Sequence, residues 1–402
     1  MTAAAVGQDR FEGMPGSPFV RLRALLDGIA PPAGRASIDM TLGEPRHPFP
    51  DFVPEIIAAN AAGFGKYPPA AGTPDYRAAC ARWLERRYGL AGAIDADTMI
   101  LPANGTREAL FNIAQVIVPK TKAGRRPAVL LPNPFYQCYA AAALGAGADP
   151  VYLNATQATG HLPDLAAIPD ATLARTAAIY LCAPANPQGA AASQDYWTAL
   201  IRLARTHDIT IVADECYADI YTAAPPVGVL EAAHKAGLGF AGIVALHSLS
   251  KRNSLPGLRA GFSAGDPAIT ARYAAFRNLA APQVPLPVMA AAAACWDDDD
   301  HAAANRALYR AKFERARAIL GNRFGFSVPA GGFFLWLDMR EAGGGEKAAL
   351  RLWREAGVRV LPGGYLSRDT AEGNPGTEYI RVALVGSEDE TAEALTRLAE
   401  VF

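Results

Sequence analysis

The chain has 402 residues, 51% hydrophobic and 19% charged, a balance that excludes a disordered chain and can bury a core larger than one compact domain needs. Lys plus Arg number 38 against 39 Asp plus Glu, a net charge of −1, which argues against a surface built to neutralise nucleic-acid phosphates. A membrane span would need about 18 unbroken apolar residues, and none occurs; the five cysteines (Cys80, Cys138, Cys182, Cys216, Cys295) are scattered without a C-x-x-C, as expected in a reduced cytoplasm and not in a disulfide or zinc scaffold.

The N-terminal stretch lacks the basic start, apolar block and cleavage site of a secretion signal, since Gln8, Asp9, Arg10 and Glu12 interrupt it. Proline and glycine then punctuate it (Pro31, Pro32, Gly34, Gly43, Pro45, Pro48, Pro50), so residues 1–45 read as an arm and connector. From about Asp97 to Gly265 short apolar runs alternate with amphipathic stretches. Thr98–Leu101, Ala128–Leu131, Ala177–Cys182, Ile209–Asp214, Ile243–Ser248 and Arg259–Ala264 read as strands buried on both faces. Arg107–Val118, Gln137–Leu144 and Ser193–Thr206 read as helices between them. Such alternation predicts an α/β fold with a mostly parallel sheet covered by helices on both faces. The four carboxylates Asp297–Asp300 read as a solvated helix end, because they lack the spacing of a calcium loop. The tail changes character: a helix over Ala302–Gly321, strands over Phe333–Leu337 and Tyr379–Leu384, and a closing helix over Glu388–Val401 predict a smaller α+β domain. The expected division is a large domain over 46–284 and a small one over 285–402, with the arm joined to the small one.

In open parallel sheets ligands bind beyond the carboxyl ends of the strands, so the residues following each strand carry the functional reading. After the first comes Asn104-Gly105-Thr106-Arg107 opening a helix: either an ordinary helix cap, or a cup of free N–H groups suited to a phosphate. No complete dinucleotide or P-loop glycine motif accompanies it. After the second, Tyr136 is placed either to cap the core or to stack on a flat ring. Asn186 lies in the turn Asn186-Pro187-Gln188-Gly189, where its amide could serve a ligand oxygen. Asp214-Glu215-Cys216-Tyr217 puts two carboxylates and a phenol at the mouth of an apolar strand, which is costly unless they meet a partner such as a cationic ring nitrogen. Ser248-Leu249-Ser250-Lys251-Arg252 is a basic turn, or else a nucleophilic amine whose pKa is lowered by the neighbouring Arg252 and Arg259.

In combination these motifs, followed by Tyr379-Ile380-Arg381-Val382, occur in an order that resembles the pyridoxal-phosphate-dependent class I/II aminotransferases of fold type I, over nearly the whole chain. Leu42-Gly43-Glu44-Pro45-Arg46-His47-Pro48, Asn104-Gly105-Thr106-Arg107-Glu108-Ala109-Leu110-Phe111, Pro132-Asn133-Pro134-Phe135-Tyr136-Gln137 and Asn374-Pro375-Gly376 are most similar to the N-succinyl-L,L-diaminopimelate aminotransferases of lysine biosynthesis.

The resemblance implies a homodimeric cytoplasmic enzyme that passes an amino group from a donor, glutamate, to a 2-oxo acid such as N-succinyl-2-amino-6-oxopimelate. It implies that Lys251 joins the aldehyde of pyridoxal 5′-phosphate and later carries a proton. Asp214 would pair with the ring nitrogen, Asn186 and Tyr217 would hold the ring 3′-oxygen, and Tyr136 would stack on the ring. Gly105, Thr106, Arg107, Ser248 and Arg259 would surround the phosphate, with Tyr67 reaching it from the partner subunit. Arg381 would clamp the substrate α-carboxylate, with Gly43 and Asn186 beside it. Arg46, His47, Lys66 and Arg252 are candidates for the distal end of the substrate by their closeness to motifs. Two departures stand out: Gln188 replaces the commoner threonine, and Gln283–Val288 lacks the serine-containing pattern of the succinyldiaminopimelate group. Another aminotransferase specificity, for alanine, aspartate or aromatic substrates, and a carbon–sulfur β-lyase on the same scaffold are the competing expectations.

Overall fold

A computed structural model describes residues 11, 14 and 16–402; the rest of the expected arm, including Gln8, Asp9, Arg10 and Glu12, lies outside them. Helix α1 (Pro18–Leu26) starts on a proline, which suits a first turn, and buries Leu22 and Leu26 against Trp353, Leu361 and Tyr365. Strand β1 (Ile38–Asp39) pairs in parallel with Val358–Arg359. Helix α2 (Phe52–Ala59) precedes α3 (Pro74–Tyr88). The Thr73 hydroxyl accepts from the Tyr76 N–H at 3.3 Å to start α3, and Gly89 stops it at φ +67.

The alternating region follows as α4 (Ala96–Met99), β2 (Ile100–Ala103), α5 (Thr106–Ile117), β3 (Ala128–Asn133), α6 (Gln137–Gly145), β4 (Asp149–Asn154), α7 (Asp170–Leu173), β5 (Thr176–Cys182), α8 (Gln194–Thr206), β6 (Thr210–Asp214), α9 (Val229–Lys235), β7 (Ile243–Ser248), α10 (Leu249–Arg252), β8 (Gly261–Gly265) and α11 (Pro267–Ala280). Strands β2 to β8 form one sheet of order β2-β8-β7-β6-β5-β3-β4. The pairs among β3, β4, β5, β6 and β7 are parallel, while β8 runs antiparallel to both β7 and β2. Six strands therefore point one way and β8 alone points back. The carboxyl edge of the sheet receives the ends of the six and the start of the seventh.

In the large sheet the first and last expected strands shift, and one strand is new. Thr98 belongs to α4, because Asp95 accepts from the Asp97 N–H at 2.9 Å and the Thr98 hydroxyl at 2.8 Å and winds a turn there. Arg259 stands outside β8 at φ +54. Strand β4, with Asp149, Pro150 and Asn154, is a half-buried edge strand that lacks the continuous apolar run of its neighbours.

The tail comprises α12 (Leu286–Asp297), α13 (Asp299–Leu320), β9 (Phe334–Asp338), α14 (Gly345–Ala356), β10 (Val358–Arg359), β11 (Leu361–Pro362), β12 (Tyr379–Ala383) and α15 (Glu388–Val401). Strands β11, β12 and β9 form a small antiparallel sheet. Its core joins Phe313, Leu335, Leu352, Val382 and Leu395 with Ile38 and Met40 from the N-terminal arm. Helix α12 packs against α2 and α3, and its Met289, Cys295 and Trp296 enter the core of the large sheet beside Trp83 and Phe262. We propose that the larger unit extends through α12, beyond the boundary expected at 285, because the buried face of this alanine-rich helix belongs to the larger core.

The acidic run 297–300 is more than a solvated helix end. Asp298 caps α13 by accepting from the N–H groups of Asp300 and His301, and Asp297 pairs with Arg82 at 2.6 Å. Asp299 pairs with Arg86 at 2.9 Å and with the buried Arg252 at 2.7 Å. Arg252 also meets Asp219 at 2.8 Å and donates to the Cys295 carbonyl at 2.6 Å, so it staples α10 to the start of α13. Removing one member of such a buried set strands the other charges. Arg252→Ala should therefore lower unfolding free energy by about 3–5 kcal/mol in chemical denaturation; a loss below about 1 kcal/mol would contradict this account.

Candidate active site

At the carboxyl edge of the sheet lies a cavity of about 430 Å³, lined by eleven of the thirteen residues singled out above: Gly43, Thr106, Arg107, Tyr136, Asn186, Asp214, Tyr217, Ser248, Lys251, Arg259 and Arg381. Thr106 opens α5, Asp214 ends β6, Ser248 ends β7, and Arg259 arrives because β8 begins at this edge. Arg381 is brought across by β12 of the small sheet. Gly105 adjoins the cavity, whereas Tyr67 is fully exposed in the single chain.

One end of the cavity gathers donors of a kind that suits an anion. Gly105 is the N-cap of α5 at φ +76 and supplies no side-chain cap, so backbone donors of the first turn keep their hydrogen-bonding capacity. A Cβ on Gly105 would come within 2.1 Å of the Arg259 guanidinium, so the absent side chain is what lets this arginine close over the helix start. Arg259 is held by the carbonyls of Pro256 at 2.9 Å and Asn104 at 3.2 Å. The Ser248 hydroxyl accepts from the Ser250 N–H at 3.1 Å, and the Thr106 hydroxyl lies 2.9 Å from Cys216 Sγ. The Arg107 side chain, expected beside the phosphate, turns instead toward Tyr136, where its Nε donates to the phenol hydroxyl.

Three ionisable groups face the middle. Asp214 is buried, with one carboxylate oxygen accepting from the Tyr139 hydroxyl at 2.6 Å and the other from the Cys216 N–H at 3.3 Å. Burial raises its pKa, against the opposing pull of these hydrogen bonds and of the Lys251 charge. Lys251 donates from Nζ to the Gly43 carbonyl, and its pKa is pushed down to about 8, first by burial and then by the charge of Arg381. Arg252 and Arg259, expected to lower it, are not the cause. Arg252 follows Lys251 by one residue on a helical turn, so it points elsewhere, into its carboxylate pairs. Arg381, on β12, is buried; it donates to the Thr41 carbonyl at 2.7 Å and the Asn186 side-chain oxygen at 3.1 Å, with its guanidinium 4.3 Å from the Phe334 ring centroid. Its Nε has no partner among the described residues, and burial pushes its pKa down to about 10. With the Asn186 oxygen taken by Arg381, the amide N–H₂ is the part of Asn186 left to donate to a ligand.

The acidic pair at the end of β6 separates. Side chains alternate along a strand, so Asp214 enters the cavity while Glu215 enters the opposite core. There Glu215 accepts from the Tyr88 hydroxyl at 2.6 Å and the Val229 N–H at 2.7 Å, and burial pushes its pKa up to about 7. The four candidates for the distal end of a substrate are not among the residues lining the cavity. Arg46 pairs with Glu390 at 3.6 Å, His47 bonds Asn305, Lys66 is exposed, and Arg252 is structural. Sequence reasoning missed Tyr139, whose only signal was its i+3 spacing from Tyr136 on α6. It also missed Phe19, Leu42, Phe334 and Leu366, apolar residues that line the cavity from the arm and the small unit. In ligand-free protein, modification of Lys251 by an amine-directed reagent, followed by mass spectrometry, should rise through a midpoint near 8. A midpoint at the ordinary lysine value of about 10.4 would refute the assigned burial effect.

The model of the family "Aminotransferase class I and II" matches residues 36–398. The chain is 32% identical over 364 residues to 4-dedimethylamino-4-oxo-anhydrotetracycline transaminase of Streptomyces rimosus, covering 90% of this chain and 92% of that one. It is 30% identical over 400 residues to the LL-diaminopimelate aminotransferase of Desulforudis audaxviator, covering 97% and 96%. A crystal structure of an aminotransferase from Neisseria meningitidis superposes with a TM-score of 0.93 at 37% identity, covering 98% of this chain and 99% of that one. This chain belongs to the class I and II aminotransferases, enzymes that depend on pyridoxal 5′-phosphate.

Proposed function

We propose that the protein transfers the amino group of glutamate to a 2-oxo acid, with N-succinyl-2-amino-6-oxopimelate as the preferred acceptor and Lys251, Asp214 and Arg381 as the central residues. The observation that carries the reading is the state of Arg381. Among the described residues the other buried arginines, Arg252, Arg277 and Arg397, each have a carboxylate within ion-pair distance, and Arg381 has none. A buried guanidinium without a counter-ion is strongly destabilising, and the α-carboxylate common to donor and acceptor supplies what it lacks.

The same cavity fits the cofactor. The capless start of α5, the Gly105–Arg259 approach and Ser248 suit its phosphate. Asp214, a buried carboxylate with no cationic side chain in ion-pair distance among the described residues, suits a protonated ring nitrogen. When bound, pyridoxal 5′-phosphate supplies an aldehyde for the amino group and a ring that accepts the electrons of the substrate Cα–H bond. Lys251 is a neutral amine for a large fraction of the time near pH 8, so it can attack an aldehyde and afterwards hold or return a proton at Nζ. Tyr139 and the Cys216 N–H orient Asp214 and keep it acceptor-only at its cavity face. Arg381, fixed by the Thr41 carbonyl and Asn186, holds the substrate carboxylate in one orientation. Tyr136 closes one side of the cavity and Tyr217, packed edge-on against Phe333 and Phe334, closes another. Tyr67, fully exposed here, is assigned to the phosphate site of a partner subunit in a homodimer.

The acceptor rests on the motif resemblance and on relatives named as LL-diaminopimelate aminotransferases. A panel of glutamate with the succinylated and unsuccinylated oxopimelates, pyruvate, oxaloacetate and an aromatic 2-oxo acid tests it; a higher kcat/KM for any other acceptor overturns the succinylated choice. Release of pyruvate and ammonia from a cysteine conjugate without an acceptor would instead support a β-lyase. Lys251→Ala should lose the visible absorbance of lysine-joined cofactor and stop transamination, and turnover at the wild-type rate would refute its role. Arg381→Ala should raise KM for both donor and acceptor by about 10- to 100-fold; unchanged values for both would refute the carboxylate assignment. Gly105→Ala, strained at φ +76 and crowding Arg259, should speed cofactor loss on dialysis, and equal retention would refute the phosphate site.

A further inference from the structure

Helix α13 carries Asn305, Tyr309 and Lys312 at i, i+4 and i+7, one face of the helix. Asn305 is 3% exposed and its side-chain nitrogen lies 3.1 Å from the Lys251 carbonyl and 3.0 Å from the Arg252 carbonyl. Both are acceptors, so that atom is the N–H₂ and the amide oxygen points away from them. The oxygen lies 2.7 Å from His47 Nδ1 and 3.3 Å from the Ser254 hydroxyl. His47 therefore carries its proton on Nδ1 and donates it, leaving Nε2 as an acceptor. Lys312 Nζ donates to that nitrogen at 2.6 Å and also donates to the Leu384 carbonyl at 3.0 Å. Every proton in the chain is assigned by its neighbours, and it runs in one direction: Lys312 to His47 to Asn305 to the main chain of Lys251. The rings run alongside. His47 lies 4.3 Å from Tyr309, Tyr309 stacks on Phe333 at 5.2 Å, and the Phe333 ring centroid is 5.3 Å from Lys251 Nζ.

We infer that His47 and Asn305, anchored by Lys312, form a positioning relay that holds the backbone of the Lys251 turn and so aims its amine into the cavity. None of the three touches the cavity, so the relay acts through Lys251 alone. It ties the segment after Gly43 and the long helix of the tail to the turn after β7, three stretches far apart in the chain. The inference rests on the role proposed for Lys251.

The test uses the full-length enzyme, comparing His47→Phe, which keeps a ring against Tyr309 but donates nothing, with His47→Asn, whose side-chain N–H₂ can stand in for Nδ1. Asn305→Asp replaces the double donor with an acceptor facing two carbonyls. Three quantities are read: the rate at which cofactor-free protein captures added pyridoxal 5′-phosphate, by stopped-flow absorbance, and kcat and KM separately. His47→Phe and Asn305→Asp should each slow capture and lower kcat about tenfold or more with KM within about twofold, and His47→Asn should recover most of both. Thermal melting identifies unfolded variants, and His47→Phe, on a half-exposed residue, keeps the test valid should Asn305→Asp fail to fold. The relay is refuted if folded His47→Phe matches wild type in capture and kcat, or if His47→Asn is as impaired as His47→Phe. Failure of the Lys251 assignment is separate: capture would then persist in Lys251→Ala.

Discussion

The organisation of this molecule turns on two opposite charges buried around one cavity without counter-ions. Among the described residues Asp214 has hydrogen bonds from Tyr139 and the Cys216 backbone but no cationic side chain in ion-pair distance, and Arg381 has a carbonyl and an amide oxygen but no carboxylate. Elsewhere the buried arginines Arg252, Arg277 and Arg397 each have a carboxylate partner, as in the Arg252–Asp219–Asp299 staple. Leaving two ions unpaired in a low-dielectric interior costs stability unless ligands complete them. Lys251 works within this field: burial and the Arg381 charge both disfavour its ammonium, which leaves a usable amine near neutral pH.

The backbone brings these groups together by a direction rule. Six strands end at one edge, and the one reversed strand begins there, so Thr106, Asn186, Asp214, Ser248 and Arg259 converge although they are separated by more than a hundred residues. The small sheet adds Arg381 from outside. The segment between β1 and α2 then crosses the junction, offering the Thr41 carbonyl to Arg381, the Gly43 carbonyl to Lys251 and the His47 ring to Asn305. That segment has little regular structure. Several of its carbonyls accept side chains from the elements around it, Thr41 from Arg381 and Gly43 from Lys251, and these bonds help an irregular stretch hold a defined position.

Much of this was legible in the residues. The strands were readable because they are buried on both faces and so are continuously apolar, and the post-strand motifs were readable because ligand-facing polar groups have to sit next to them. Strand β4 was not, because an edge strand is half-exposed and carries the same Asp, Pro and Asn that signal turns. Arg252 was misassigned for a related reason: beside Lys251 it looks like part of a basic turn, and only the fold places two carboxylates and a carbonyl around it. Helix α12 falls after a proline-rich break in the sequence, yet its small side chains fit against α2 and α3 and draw it into the larger core.

By itself the sequence determined which chemistry was available: an amine after β7, a carboxylate after β6, a glycine-led helix start after β2 and an arginine inside an apolar strand, all dictated by local pattern and spacing. Tertiary structure alone decided which charges go unpaired. Asp214 and Glu215 are adjacent in sequence and chemically alike, and strand alternation sends one to the cavity and the other to Tyr88 and Val229. Arg252 and Arg381 are both buried arginines, and only packing leaves one with carboxylate partners and the other with none among the described residues. Pairing depends on distance in space, which local sequence does not encode, and here it separates the groups that hold the protein together from those left for a ligand.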